Sequence, residues 1–150
     1  MKFQKLKFAL HLNLSTDLRR EAAGGPNLSP VIARSLQHLY PDHMFVALCD
    51  RFPSDISDID WMAELDREGG WAALTKDLRI QFRPHERLAL DRSKIVFFFL
   101  DGAWRKYSVP ETAARLIRLV PLMTKQVDIA DRGRFDLPIN AGSKLRPHRD

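Results

Sequence analysis

The feature that most constrains this chain is four short apolar runs separated by helix-patterned stretches. Residues 5–14, 44–48, 71–75 and 95–100 each read as a strand, and the segments after them carry helical punctuation or helical spacing. The order is strand, helix, four times over. Such alternation predicts an α/β fold with a parallel sheet and helices on both faces. In sheets of this kind ligands and chemistry collect beyond the carboxyl ends of the strands. The residues that follow each apolar run are therefore the ones to read for function.

The helices are marked by their ends. Residues 15–30 are polar, contain Gly24, Gly25 and Pro26, and read as a loop. A helix is predicted over 30–39, with Ser29 as N-cap, Pro30 in the first turn and Ile32, Leu36 and Leu39 on one face. Pro41 and Asp42 end it, and residues 49–57 read as a loop. Ser57 or Asp58 can cap the next helix, with Ile59, Met62 and Ala63 turned inward and Gly69 and Gly70 as its stop. Pro84 opens a helical stretch to about Asp91. Ser108 and Glu111 have capping-box spacing, and Ala113, Leu116, Ile117 and Val120 follow at i, i+3, i+4 and i+7. Pro121 is expected to end or kink that last helix. The Phe-rich run 95–100 suits a strand covered on both faces. Trp61, Trp71 and Trp104 lie far apart and read as core residues.

Composition sets bounds. At 150 residues the chain is long enough to close one core, so it reads as a single domain over 1–150 with a basic tail at about 132–150. Twenty-four basic and nineteen acidic residues give a formal charge of +5, which suits an anionic partner such as nucleic acid or an acidic protein, and equally an ordinary soluble surface. No uninterrupted apolar run exceeds six residues, too short for a membrane span. The apolar stretch after Lys2, Lys5 and Lys7 is broken by His11 and Asn13 and makes a poor signal peptide, so a cytoplasmic setting is the default. The single cysteine, Cys49, excludes an internal disulfide and a Cys-rich zinc site, and reads as a small buried hydrophobe. The chain has no Gly-rich phosphate loop and no nucleophile elbow. Its five histidines (His11, His38, His43, His85, His148) show no metal-ligand spacing.

Acidic residues do gather after the apolar runs. The third run leads into Thr75-Lys76-Asp77-Leu78-Arg79, and the second leads through a loop to Asp55, Asp58 and Asp60. Hard divalent cations take oxygen ligands and keep several waters, so two or three aspartates suffice for magnesium or manganese. Such an ion can activate water and stabilise the charge of phosphodiester cleavage. Plainer roles fit the same residues, since Asp58 can cap a helix and Asp77 can make a turn.

Several short motifs follow one another in order: Asn27-Leu28-Ser29-Pro30 with Ile32-Ala33-Arg34-Ser35-Leu36; Asp50-Arg51-Phe52-Pro53 with Asp58-Ile59-Asp60-Trp61; and Glu68-Gly69-Gly70-Trp71 with Thr75-Lys76-Asp77-Leu78-Arg79-Ile80. Arg83-Pro84-His85-Glu86-Arg87, Val96-Phe97-Phe98-Phe99-Leu100 and Phe135-Asp136-Leu137-Pro138 continue the series. Together, over roughly residues 27–147, they resemble the PIN-like domains grouped with VapC-type toxins. The resemblance implies a three-layer α/β/α fold with a mainly parallel sheet. It implies an acidic pocket that binds Mg2+ or Mn2+ and cleaves RNA, an endoribonuclease often acting as the toxin of a toxin–antitoxin pair, with an antitoxin protein as partner and frequent homodimers. Carried over by position, Asp58 and Asp77 are the metal ligands, Thr75 is the accompanying hydroxyl, and Asn27 orients a ligand or water. Arg79, Arg83, Lys144 and Arg146 are then the candidates to hold RNA phosphates.

One position departs from the pattern. The resemblance places an aspartate at the end of the first strand, two residues before Asn27, and here that residue is Gly25, followed by Pro26. Aligning the earlier echo Asn13-Leu14-Ser15 instead puts His11 there. Asp17 and Glu21 are the carboxylates available as substitutes. The alternative expectation is thus a catalytically degenerate PIN-like module that binds RNA or a partner protein without cleavage.

Overall fold

The computed structural model describes residues 5–12 and 29–148. Asn13 to Ser15, Asp17, Glu21, Gly25 and Asn27 lie outside the described residues. Five strands run parallel: β1 (Lys7–His11), β2 (Met44–Ala47), β3 (Trp71–Thr75), β4 (Val96–Phe99) and β5 (Gly133–Asp136). A two-residue strand, β6 (Arg146–Pro147), closes one edge antiparallel to β5, giving the order β2-β1-β3-β4-β5-β6. The helices are α1 (Ser29–Leu39), α2 (Leu48–Arg51, a single turn), α3 (Asp58–Glu68), α4 (Pro84–Arg92) and α5 (Val109–Ile129), with two 3-10 turns at Leu78–Gln81 and Gly102–Trp104.

Alternate residues of the buried strands face opposite layers. Phe8, Leu10, Leu74, Val96 and Phe98 pack with Ile32 and Leu36 of α1 and Leu116, Leu119 and Met123 of α5. Ala9, Ala73, Phe97 and Phe99 pack with Trp61, Met62 and Leu65 of α3 and Leu90 of α4. This is a three-layer α/β/α sandwich. The central strands β3 and β4 are buried at every residue because both of their faces are covered, and Thr75 is the one polar residue in them.

The inner face of α3 differs from the expectation. Trp61, Met62 and Leu65 are buried, whereas Ile59 is 37% exposed and Ala63 lies outside. The large Trp61 indole takes the inner face, packing against the rings of His11 and Phe97. Leu39 likewise sits exposed in the last turn of α1. Ser29 begins α1, and its hydroxyl accepts the N–H of Leu12 at 2.8 Å, tying the helix to the end of β1. Cys49 is exposed, not buried, because the segment read as a loop makes the short helical turn α2 and Leu48 takes its inward position. The 132–148 segment, read as a tail, supplies β5 and β6.

Pro121 does not end α5, which continues to Ile129. Proline lacks the N–H that would bond the carbonyl four residues back, that of Ile117. The Tyr40 hydroxyl donates to that carbonyl at 2.7 Å and so replaces the missing donor. Tyr40→Phe is accordingly expected to cost about 1–3 kcal/mol of folding stability, the range for a half-buried carbonyl left without its donor. Urea unfolding of the two proteins measures it, and an unchanged midpoint would show that the proline needs no such partner.

Candidate active site

The strand order fixes where a site can form. The chain leaves β1 towards β2 on one side and returns to β3 on the other, so the connections diverge beyond the carboxyl ends of β1 and β3. That divergence opens the crevice in which doubly wound sheets bind ligands. His11, the last residue of β1, is in register with Thr75, the last residue of β3.

Around this point the side chains form one connected set. Thr75 is fully buried; its hydroxyl accepts the Asp77 N–H at 3.0 Å and lies 3.0 Å from His11 Nδ1. The His11 ring also stands against the Trp61 ring, with centroids 5.6 Å apart. The Trp61 indole N–H donates to Asp58 Oδ1 at 2.8 Å. Thr75 and Trp61 thus act as positioning groups for Asp77 and Asp58.

Of the two possible caps for α3, Ser57 takes the role, accepting the Asp60 N–H at 3.0 Å. That leaves the Asp58 carboxylate for the crevice. Asp77 does make a turn, since Oδ1 accepts the Arg79 backbone N–H at 3.0 Å and the Arg79 Nε–H at 3.1 Å. In each aspartate Oδ1 is thereby held by protein donors, while Oδ2 faces a common point. Nη2 of Arg83 lies there, 3.3 Å from Asp77 Oδ2 and 3.7 Å from Asp58 Oδ2. Nη1 of the same guanidinium is 3.3 Å from Glu86 Oε1. Pro84 at the first position of α4 makes Arg83 the N-cap, and Glu86 falls one turn on. Neither Glu86 nor Trp61 stands out in the sequence as a site residue. The Trp61 signal is its i+3 spacing from Asp58 at a helix start.

The donor set fits a hard divalent cation. Two carboxylate oxygens, each with its partner oxygen already bonded, face one arginine nitrogen, and a cation there would take the place of Arg83 Nη2. Among the described residues no group of three His, Cys, Asp or Glu side chains could hold a metal ion. A cation held here would rest on Asp58 and Asp77 and keep several waters, as magnesium ordinarily does. At Lys76, the residue after β3, burial, with the Arg105 charge second, lowers the ammonium pKa below the usual lysine range.

The remaining predicted residues lie elsewhere. Lys144 and Arg146 are exposed, and Arg146 sits on β6, three strands from β3, roughly 14 Å at ordinary strand spacing. Asn27 lies outside the described residues. The end of β1 falls at His11, so the residue beside Thr75 at the switch point is an imidazole. Among the described residues no helix is long and apolar enough to cross a membrane.

A family model described as a PIN like domain matches residues 26–102, more than half of the chain, and covers β2, α3, β3 and the Asp58–Asp77–Arg83 cluster. Neither the curated proteins nor the solved structures gave a match.

Proposed function

Since the chain belongs to the PIN-like domain family, we propose that it is a divalent-metal-dependent endoribonuclease, the VapC-type toxin of a toxin–antitoxin pair, acting in the cytoplasm. The observation that carries this reading is the convergence of Asp58 Oδ2 and Asp77 Oδ2 on one point at the switch-point end of the sheet. Asp58 and Asp77 would hold Mg2+ or Mn2+. When bound, the ion supplies a water of lowered pKa and charge to stabilise the phosphodiester transition state.

The protein's own groups do the rest. Trp61 fixes the orientation of the Asp58 carboxylate, and Thr75 fixes the backbone at Asp77. Asn27 orients a ligand or water. Arg79, Arg83, Lys144 and Arg146 bind RNA phosphates, each contact releasing counterions and steepening the salt dependence of binding. An antitoxin protein is the partner, and a homodimer is the assembly in which the chain works.

A second reading rests on His11. The strand end beside Thr75 carries an imidazole where the alignment of the first motif calls for a carboxylate. One fewer anionic ligand weakens a magnesium site, which favours a module that binds RNA or a partner protein without cutting. Incubating the purified chain with end-labelled single-stranded RNA separates the two. The nuclease reading expects internal cleavage with millimolar Mn2+ or Mg2+ that stops when a chelator is added. Bound but intact RNA under those conditions would replace it with the second reading.

A further inference from the structure

We propose that Arg83 is an internal counter-ion that a divalent cation must displace, and that the released guanidinium then binds the RNA phosphate. The inference rests on the metal-dependent reading above and adds a coupling between metal loading and RNA affinity.

Three observations carry it. First, a single nitrogen, Nη2, sits between the two carboxylate oxygens assigned to the metal, at 3.3 and 3.7 Å. A guanidinium and a metal ion cannot share that point. Second, the cluster holds more acidic than basic groups: Asp58, Asp77 and Glu86 face Arg83, and Asp77 also meets Arg79, so three carboxylates share two guanidinium groups. Without a cation between them, like-charged carboxylates repel one another. Third, the exposures run in the direction an exchange needs. The Asp58 and Asp77 side chains are 18% and 15% exposed, whereas Arg83 is 44% exposed. Arg83 can therefore swing outward while the carboxylates stay in place.

A doubly charged ion outcompetes a singly charged group for two carboxylates when its partial dehydration is tolerated. The displaced guanidinium keeps its planar fork of donors, the geometry that matches a phosphate. Metal binding then turns a neutralised arginine into a phosphate contact beside the metal. By linkage the effect is reciprocal: RNA that engages Arg83 tightens the metal by the same factor.

The test measures binding, without cleavage. Mn2+ affinity is determined by calorimetry for the wild type and Arg83→Gln, and affinity for a 2′-O-methyl oligoribonucleotide by anisotropy with and without Mn2+. Arg83→Gln is expected to bind Mn2+ about tenfold more tightly, within the ordinary range of coupling between two ligands. Mn2+ is expected to raise RNA affinity in the wild type, and that increment should vanish in Arg83→Gln. Equal or weaker Mn2+ binding by the variant overturns the exchange and leaves the metal site standing. Failure of both proteins to bind Mn2+ overturns the metal reading together with the exchange. If Arg83→Gln does not fold, the Arg83 side-chain NMR signal in the wild type decides. It should move on saturation with Mg2+, and an unmoved signal at saturation refutes the displacement.

Discussion

On the nuclease reading, Asp77→Asn is expected to lower RNA cleavage by roughly two orders of magnitude or more, since a metal held there would stabilise the transition state by several kcal/mol and each 1.4 kcal/mol is about tenfold in rate. Asparagine keeps an oxygen for the Arg79 N–H, so the turn after β3 should survive. What is lost is one negative charge and the Oδ2 acceptor that faces Arg83. Asp58→Asn should cause a fall of similar size, because its amide oxygen can still accept from the Trp61 indole while the charge is gone. The double variant should be little worse than either single, as expected for groups that act as one unit. Single-turnover cleavage at saturating Mn2+, with far-ultraviolet circular dichroism as the folding control, measures all three. A wild-type rate in Asp77→Asn would remove that residue from the site.

How much of this was legible depends on the range of the interaction that decides each element. Strand β3 matches the 71–75 reading because its limits are local. Gly69 and Gly70 take positive φ angles of 77° and 76°, which glycine adopts without steric cost, and Lys76 begins the polar segment after it. The start of α4 at Pro84 and the Ser108 cap of α5 are local in the same sense. Pro121 is not. The rule that proline breaks a helix is overridden by the Tyr40 hydroxyl, which arrives from a turn 77 residues away in sequence. Strands β5 and β6 are also non-local. Gly133-Arg134-Phe135-Asp136 has no apolar run, and it becomes a strand by pairing with Val96–Phe99.

The candidate site divides in the same way. Asp58 and Asp77 stand out because carboxylates near strand ends are visible in a linear sequence. Their meeting point is set by tertiary geometry. Charge alone reads Arg83 as a phosphate contact, and only the fold shows that one guanidinium bridges Asp58, Asp77 and Glu86. The end of β1 could be read two ways, at His11 through the Asn13 echo or at Gly25 through Asn27, and only strand pairing chooses between them. A motif alignment counts residues back from Asn27 and reaches Gly25, whereas the hydrogen-bonded register with β3 ends the strand at His11.

Trp104→Ala is expected to cost about 3–5 kcal/mol, the range for truncating a fully buried large aromatic side chain. Trp104 is 0% exposed and packs in the core shared with α1 and α5. Its indole N–H donates to the Leu137 carbonyl at 3.0 Å, and the Leu137 N–H in turn donates to the Phe99 carbonyl at 2.9 Å. The side chain therefore ties the chain leaving β5 to the end of β4. Removing it opens a cavity and also strands a buried carbonyl. Against a total stability of about 5–15 kcal/mol for a domain, that is a large fraction. The melting temperature should fall by about 10 °C or more at the slope usual for a chain of this length. Trp104→Phe separates the two contributions, since it restores most of the apolar volume but not the donor, and it should recover more than half of the loss. Thermal unfolding followed by near-ultraviolet circular dichroism measures both variants. A fall of only a degree or two in Trp104→Ala would mean that the segment after β5 does not depend on this anchor. Because Asp136 ends β5 next to Leu137 and pairs in register with Phe99 beside Thr75, loss of the anchor should also loosen the row of strand ends on which the candidate site is built.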